Sequence, residues 1–184
     1  MTRVMIVDDH PMWREGVARD LGSRGYDVCA TAADVSSGNS VSLLRDGPAT
    51  FDAMLGLIDD ATTTVDLESY IFRSDEVGRR FADALTRAVE RGVAVRLLLD
   101  WIGGRGTSPR FVDEIRQQGV KVAVFNTPGL RAWLGLVPRD HRKLLVVDST
   151  VGITGGVGVG REWTTGVQKT QRSRWRDTAV KIEG

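Results

Sequence analysis

His141-Arg142-Lys143-Leu144-Leu145-Val146-Val147-Asp148 has the form H-x-K-x4-D. The four residues after the lysine are leucine and valine, which reads as a strand. Side chains two apart on a strand share a face, so His141 and Lys143 stand on the same side of an extended segment. Asp148 follows where that strand ends, at a turn with Ser149. A second strand over 151–154 leads to Gly155-Gly156, where the lack of side chains lets a backbone come close to a bound anion.

Outward from this motif, strands and helices alternate. Upstream, 41–44 reads as a strand and Asp46-Gly47 as a turn. Residues 48–61 read as a helix with Phe51, Met54, Leu55 and Ile58 on one face. Residues 63–72 read as a strand rich in β-formers. Residues 76–91 read as an amphipathic helix through Phe81, Leu85 and Val89, closed by Gly92. The nearly continuous apolar run 93–99 predicts a central strand buried on both faces. A helix over 108–118 and a strand over 120–125 follow. Residues 127–139 carry Pro128, Gly129, Trp133, Gly135 and Pro138 and read as a long loop. Downstream come a glycine-rich turn over 155–160, a mobile loop over 161–174 and a last strand over 175–182. The pattern predicts an α/β fold, a mixed β-sheet flanked by helices.

The chain opens differently. Arg3–Val7 reads as a short strand delivering Asp8 and Asp9 to its end. Pro11 then starts a helix through Trp13, Val17 and Leu21, Gly25 stops it, and a second strand covers 26–31. The polar stretch 34–40 is the expected junction. The expected domains are therefore 1–37, a β-α-β appendage, and 38–184.

Composition narrows the partners little. The 184 residues are 41% hydrophobic and 27% charged with a net charge of +1, which suits a globular chain. Residues 1–60 hold 5 Lys/Arg against 10 Asp/Glu, and residues 61–184 hold 20 against 14. The larger part is thus mildly basic, as an anionic substrate would favour; an ordinary solvated surface is the alternative. Cys29 is the single cysteine, which excludes an intrachain disulfide and fits a reducing compartment. No apolar run reaches the ~18–20 residues of a membrane-spanning helix, and the opening residues are too acidic for a secretory signal. The expected location is cytoplasmic, or peripheral to the inner face of the membrane.

Residues 38–184 resemble the phospholipase D superfamily, and within it the cardiolipin synthase-like branch. The resemblance rests on Asp66-Leu67-Glu68-Ser69-Tyr70-Ile71-Phe72, Val95-Arg96-Leu97-Leu98-Leu99-Asp100, Asp140-His141-Arg142-Lys143, Thr154-Gly155-Gly156 and Trp175-Arg176-Asp177-Thr178. It implies phosphodiester hydrolysis or phosphatidyl transfer on a phospholipid through a phosphohistidine. His141 would be the nucleophile, or the acid that protonates the leaving alcohol. Lys143 would hold non-bridging phosphate oxygens as a point charge. Asp148 would orient an imidazole. Glu68, Gly155 and Gly156 are the expected substrate-binding positions, with a structural hydrogen-bonding role the alternative for Glu68. No cofactor or metal is called for, because cationic side chains carry the charge work.

The resemblance also sets what is missing. The family joins two such motifs, one per half, and this chain has one; its other histidine, His10, lacks the lysine. A homodimer would supply the second motif, and an inactive half is the alternative. Gly158 stands where many relatives have asparagine. Residues 1–33 resemble the start of a response-regulator receiver, a family in which an acidic pair such as Asp8-Asp9 binds Mg²⁺. At about a third of a receiver's length, this segment reads as a fused remnant, with a working Mg²⁺ site at Asp8 and Asp9 the alternative. Leu130, Trp133, Leu134 and Leu136 could meet lipid, or pack as a core or lid. Arg161, Lys169, Arg172 and Arg174 could meet headgroups or a nucleic-acid backbone, or form a solvated loop. Trp175 and Asp177 read as framework residues. Rival readings are a nuclease on the same fold, disfavoured by the lack of a long basic stripe, and a signalling or inert fragment.

Overall fold

The computed structural model describes residues 3–7, 11–32, 39–125, 127, 140–164 and 177–184. Asp8, Asp9, His10, Leu130, Trp133, Leu134, Leu136, Lys169, Arg172, Arg174 and Trp175 lie outside these, and so do the expectations attached to them. The chain divides into two compact units, Met1–Val41 with Glu183–Gly184, and Ser42–Ile182.

In the first unit, strand β1 (Arg3–Val7) leads into helix α1 (Pro11–Ser23) and then strand β2 (Asp27–Ala32). β1 and β2 pair in parallel, with a register irregularity between Val4 and Met5. Proline at the first helical position costs no hydrogen bond, because that N–H would be unpaired anyway. Val17, expected on the apolar face of the helix, is 39% exposed.

The second unit is built on strands β3 (Ser40–Arg45), β4 (Thr64–Ser69), β5 (Ala94–Asp100), β6 (Lys121–Phe125), β7 (Lys143–Val147), β8 (Val151–Gly155) and β9 (Thr178–Glu183). They form one sheet in the order β3-β9-β8-β7-β4-β5-β6. β4, β5 and β6 run parallel, while β7 runs antiparallel to both β4 and β8. The sheet is mixed, as the alternation of elements predicts.

Helices α2 (Asp46–Asp60), α3 (Glu76–Glu90) and α4 (Pro109–Gln117) supply the rest of the core. Phe51, Met54 and Ile58 of α2 and Phe81 and Leu85 of α3 are buried. The Phe51 and Phe81 rings meet edge to face at 5.7 Å, an arrangement their quadrupoles favour. Asp75 caps α3, its side chain accepting from the Gly78 N–H at 3.0 Å. Asp46-Gly47, expected as a turn, opens α2 instead. Asp46 takes the sharp reversal at φ 65°, so turn and helix start coincide.

Two strand expectations need correction. Residues 93–99 are not buried on both faces. Val95, Leu97 and Leu99 are buried, but Ala94 and Arg96 are exposed, and Arg96 forms an ion pair across the open face with Asp66 of β4. The expected strand 63–72 ends at Ser69. There the Ser69 hydroxyl donates to the Ile71 carbonyl at 2.7 Å, a local bond that competes with the ladder. The chain then turns to pair with the glycine-rich segment. Phe72 bridges Val159, Arg73 N–H donates to the Val159 carbonyl at 2.8 Å, and Val159 N–H to that of Ile71 at 2.9 Å. Within the expected loop 161–174, Arg161–Trp163 form a 3-10 turn with Trp163 buried.

This topology brings several strand ends together. Ser69 of β4 lies opposite Lys143 of β7, and Leu144 of β7 opposite Thr154 of β8. The carboxyl ends of β4 and β8 therefore meet the amino end of β7 at one edge. Open α/β sheets characteristically bind ligands at the carboxyl ends of their parallel strands.

Candidate functional site

His141 stands two residues ahead of β7 and is exposed, whereas Lys143, the first residue of β7, is half-buried. The Lys143 ammonium donates to the His141 carbonyl at 2.8 Å and lies 3.3 Å from Nδ1 and 3.2 Å from Nε2 of the imidazole. A lysine has donors only, so any bond between the two uses an unprotonated ring nitrogen. Burial lowers the Lys143 pKa from its ordinary value, and the Asp177 and Asp140 carboxylates oppose that shift.

Asp148 is not at the imidazole. Its carboxylate accepts five hydrogen bonds of 2.8–2.9 Å, from the N–H and hydroxyl groups of Thr62 and Thr63 and from the N–H of Thr64. Those donors pull its pKa well below the usual carboxylate range. The orienting role expected for it is corrected: Asp148 sits at the far end of β7 and holds the entry to β4.

Of the two carboxylates that oppose the Lys143 shift, Asp177 acts more strongly, and it immediately precedes β9. The glycine pair makes room for it. A Cβ on Gly156 would lie 2.0–2.1 Å from the Asp177 carboxylate, and one on Gly155 would lie 2.4 Å from the Thr178 carbonyl. The Gly156 N–H is also taken, donating to the Thr178 carbonyl at 3.2 Å.

Glu68 of β4 pairs with Leu144 of β7, so its side chain stands on the opposite face of the sheet from Lys143, the partner of Ser69. Burial pushes the Glu68 carboxyl up, and Arg142 pulls it back. Arg142 Nε lies 3.2 Å from Glu68 Oε2, yet that oxygen accepts no hydrogen bond among the described residues. Arg142 directs its fork at Asp140 instead, Nε to Oδ1 at 2.8 Å and NH2 to Oδ2 at 3.0 Å. Those bonds hold the buried Asp140 carboxyl below its usual range. Asp140 in turn donates its N–H to Oδ2 of the buried Asp100 at 3.1 Å.

Among the expected residues, the structure thus gathers His141, Lys143 and Gly155 at one edge, places Glu68 on the opposite face of the sheet with Leu144, and leaves Asp148 apart. Sequence reasoning assigned Asp177 to the framework and gave no role to Arg142. An acid directly before a strand and opposite a glycine pair is the signal that could have found Asp177.

The imidazole and the ammonium stand together at a strand end, a nucleophile-capable ring beside a cation. Residues 54–166 match the family model described as "Cardiolipin synthase, PLD-like domain". The chain belongs to this phospholipase D-like family. It is 36% identical over 147 residues to cardiolipin synthase 1 of Bacillus cereus, covering 79% of this chain and 28% of that protein. It is 37% identical over 147 residues to the major cardiolipin synthase of Bacillus subtilis, covering 79% and 30%. With cardiolipin synthase A of Pseudomonas fluorescens it shares 34% over 183 residues, 94% of this chain and 37% of the relative. The chain spans about a third of the length of these curated relatives. Among solved structures it is similar to the phospholipase D family member Nuc of Salmonella typhimurium. That match has a TM-score of 0.58 at 23% identity and covers 79% of this chain and 84% of the other.

Proposed function

We propose that the Ser42–Ile182 unit is one catalytic half of a phospholipid-processing enzyme that cleaves or transfers a phosphodiester through a phosphohistidine on His141. The observation that carries this reading is the exposed imidazole with the Lys143 ammonium beside both ring nitrogens at the sheet edge. The relatives' names, all cardiolipin synthases, favour a phospholipid over a nucleic acid.

In the first step a ring nitrogen of His141 forms a bond to phosphorus, and the ester P–O bond breaks. The leaving alcohol takes a proton from the imidazolium of a second motif. In the second step a hydroxyl oxygen attacks phosphorus, the N–P bond breaks, and the proton returns to the second imidazole. Water as acceptor gives phosphatidic acid; a phosphatidylglycerol hydroxyl gives cardiolipin. Lys143 holds the non-bridging oxygens, where charge builds in the transition state, and Asp177 balances its charge. The second motif comes from a second copy of the chain or from a further half. A twofold dimer would need its two His141 rings within ~5 Å, so that both reach one phosphorus. The enzyme would work at the inner face of the membrane. Residues 1–37 are read as a receiver-derived remnant with no part in this chemistry; the parallel β1-α1-β2 arrangement supports that derivation.

The test uses phosphatidylglycerol vesicles carrying radiolabelled phosphate. Wild-type chain should release labelled product and retain acid-labile label on quenching, with a sedimentation mass of two chains. His141→Ala should do neither, and Asp8→Ala should do both. Wild-type turnover by His141→Ala would remove the assignment.

A further inference from the structure

We propose that Tyr70 is a positioning residue whose ring sets the separation of His141 and Lys143, as the middle layer of a stack running from Gly103 to the imidazole. Its catalytic consequence rests on the phosphodiester reading above; its geometry does not.

Tyr70 directly follows β4. Its N–H donates to the carbonyl of Arg142, the residue between His141 and Lys143, at 3.2 Å. Backbone and ring therefore address the same three-residue segment. The ring centroid lies 4.6 Å from that of His141, with the planes inclined at 55°. The Lys143 ammonium lies 5.4 Å from the same centroid, within range of the attraction between a cation and a π face. One aromatic ring thus packs against both the imidazole and the ammonium.

The tyrosine is itself backed. A Cβ at Gly103 would fall 1.7 Å from the Tyr70 carbonyl oxygen and 2.9 Å from its Cδ2. Nothing larger than glycine fits behind it. Gly103 is held by Asp100, whose Oδ1 accepts the N–H groups of Ile102 at 2.8 Å and Gly103 at 3.0 Å. The other oxygen of the same carboxylate accepts the Asp140 N–H at 3.1 Å. One buried aspartate, 3% exposed, therefore fixes both the turn behind the tyrosine and the residue before the histidine. When a phosphate draws the Lys143 donors away from the His141 carbonyl, this stack keeps the imidazole in line for attack. The ring is the part of Tyr70 that meets both His141 and Lys143.

The experiment compares Tyr70→Leu and Tyr70→Phe with wild type on phosphatidylglycerol vesicles, alongside proton NMR of the His141 ring. A misplacement of about 1 Å costs on the order of 10²-fold in rate. Tyr70→Leu should lower kcat by ~10–100-fold while KM stays within about threefold, and Tyr70→Phe should stay within about twofold of wild type. The His141 ring protons should show an aromatic ring-current shift in wild type and Tyr70→Phe that Tyr70→Leu loses. Nuclear Overhauser contacts between the Tyr70 and His141 rings in the wild type decide the geometry even if Tyr70→Leu does not fold. Absence of those contacts, wild-type kcat in Tyr70→Leu, or equal losses in both variants would overturn the proposal. An inactive wild type with the contacts present would count against the phosphodiester reading while supporting the stack.

Discussion

Adjacent glycines at the end of β8 should respond to the same alanine substitution in opposite ways. In Gly155→Ala the new methyl would lie 2.4 Å from the Thr178 carbonyl oxygen, 2.5 Å from the Ala179 Cα and 2.8 Å from its Cβ. Ordinary contact needs about a further ångström, and two of the three obstacles are backbone of β9. That strand must shift or lose its pairing. Overpacking of this kind costs ~1–3 kcal/mol, and each kcal/mol lowers the melting temperature by about 2–4 °C in a chain of this size. The atoms nearest a Gly156→Ala methyl are those of the Asp177 carboxylate, at 2.0–2.1 Å. A carboxylate can swing aside, so stability should fall by less than ~1 kcal/mol. The swing displaces the Asp177 carboxylate, whose charge acts on Lys143, and kcat/KM should fall by ~10–100-fold. Thermal melts and phosphodiesterase assays on the two variants separate the effects. A Gly156→Ala variant with wild-type kcat/KM would refute the place given to Asp177, and a Gly155→Ala variant with wild-type melting would refute the packing argument at β9.

Asp148→Ala should destabilise the chain at neutral pH. A carboxyl with a lowered folded pKa contributes stability above its unfolded pKa of ~4 and loses it as pH falls through the folded value. The gap between wild type and Asp148→Ala in urea midpoint should therefore narrow on acidification, and a gap independent of pH would contradict the five-bond arrangement. Asp100→Ala strands three backbone N–H groups in a buried site, which should cost ~2–4 kcal/mol by denaturant titration; an Asp100→Ala variant as stable as wild type would show that those bonds contribute little. Arg142→Ala removes the charge that pulls the Glu68 carboxyl down, so its titration, followed by carbon NMR, should move to higher pH. An unmoved titration would mean that Arg142 does not act on Glu68.

Strand β7 was legible because its information is local. Alternation at a period of two places His141 and Lys143 on one face, and the apolar run Leu144 to Val147 sets the strand's span. The helices were legible for the same reason, through Phe51, Ile58, Phe81 and Leu85 at helical spacing. What escaped depends on partners distant in sequence. Asp148 finds its donors at Thr62, Thr63 and Thr64, and nothing near it in the chain marks them. Arg96 sits in a run that reads as buried on both faces, and only Asp66 on the neighbouring strand explains its exposure. Asp177 acts on Lys143 because β9 lies beside β8, a neighbour relation that periodicity does not encode. The break after Ser69 came from a single hydroxyl bonding two residues ahead, a detail too small for a propensity argument to catch.

The threonine clamp at Asp148 gives the motif's spacing a mechanical meaning. Between Lys143 and Asp148 the chain works as a ruler: one end is fixed by five hydrogen bonds, and the other carries the reactive groups. Adding or removing one residue along it would turn the histidine and the lysine to the opposite side of the sheet. The fixed count of four is then a demand of strand geometry, enforced from the end of the strand remote from the histidine and the lysine.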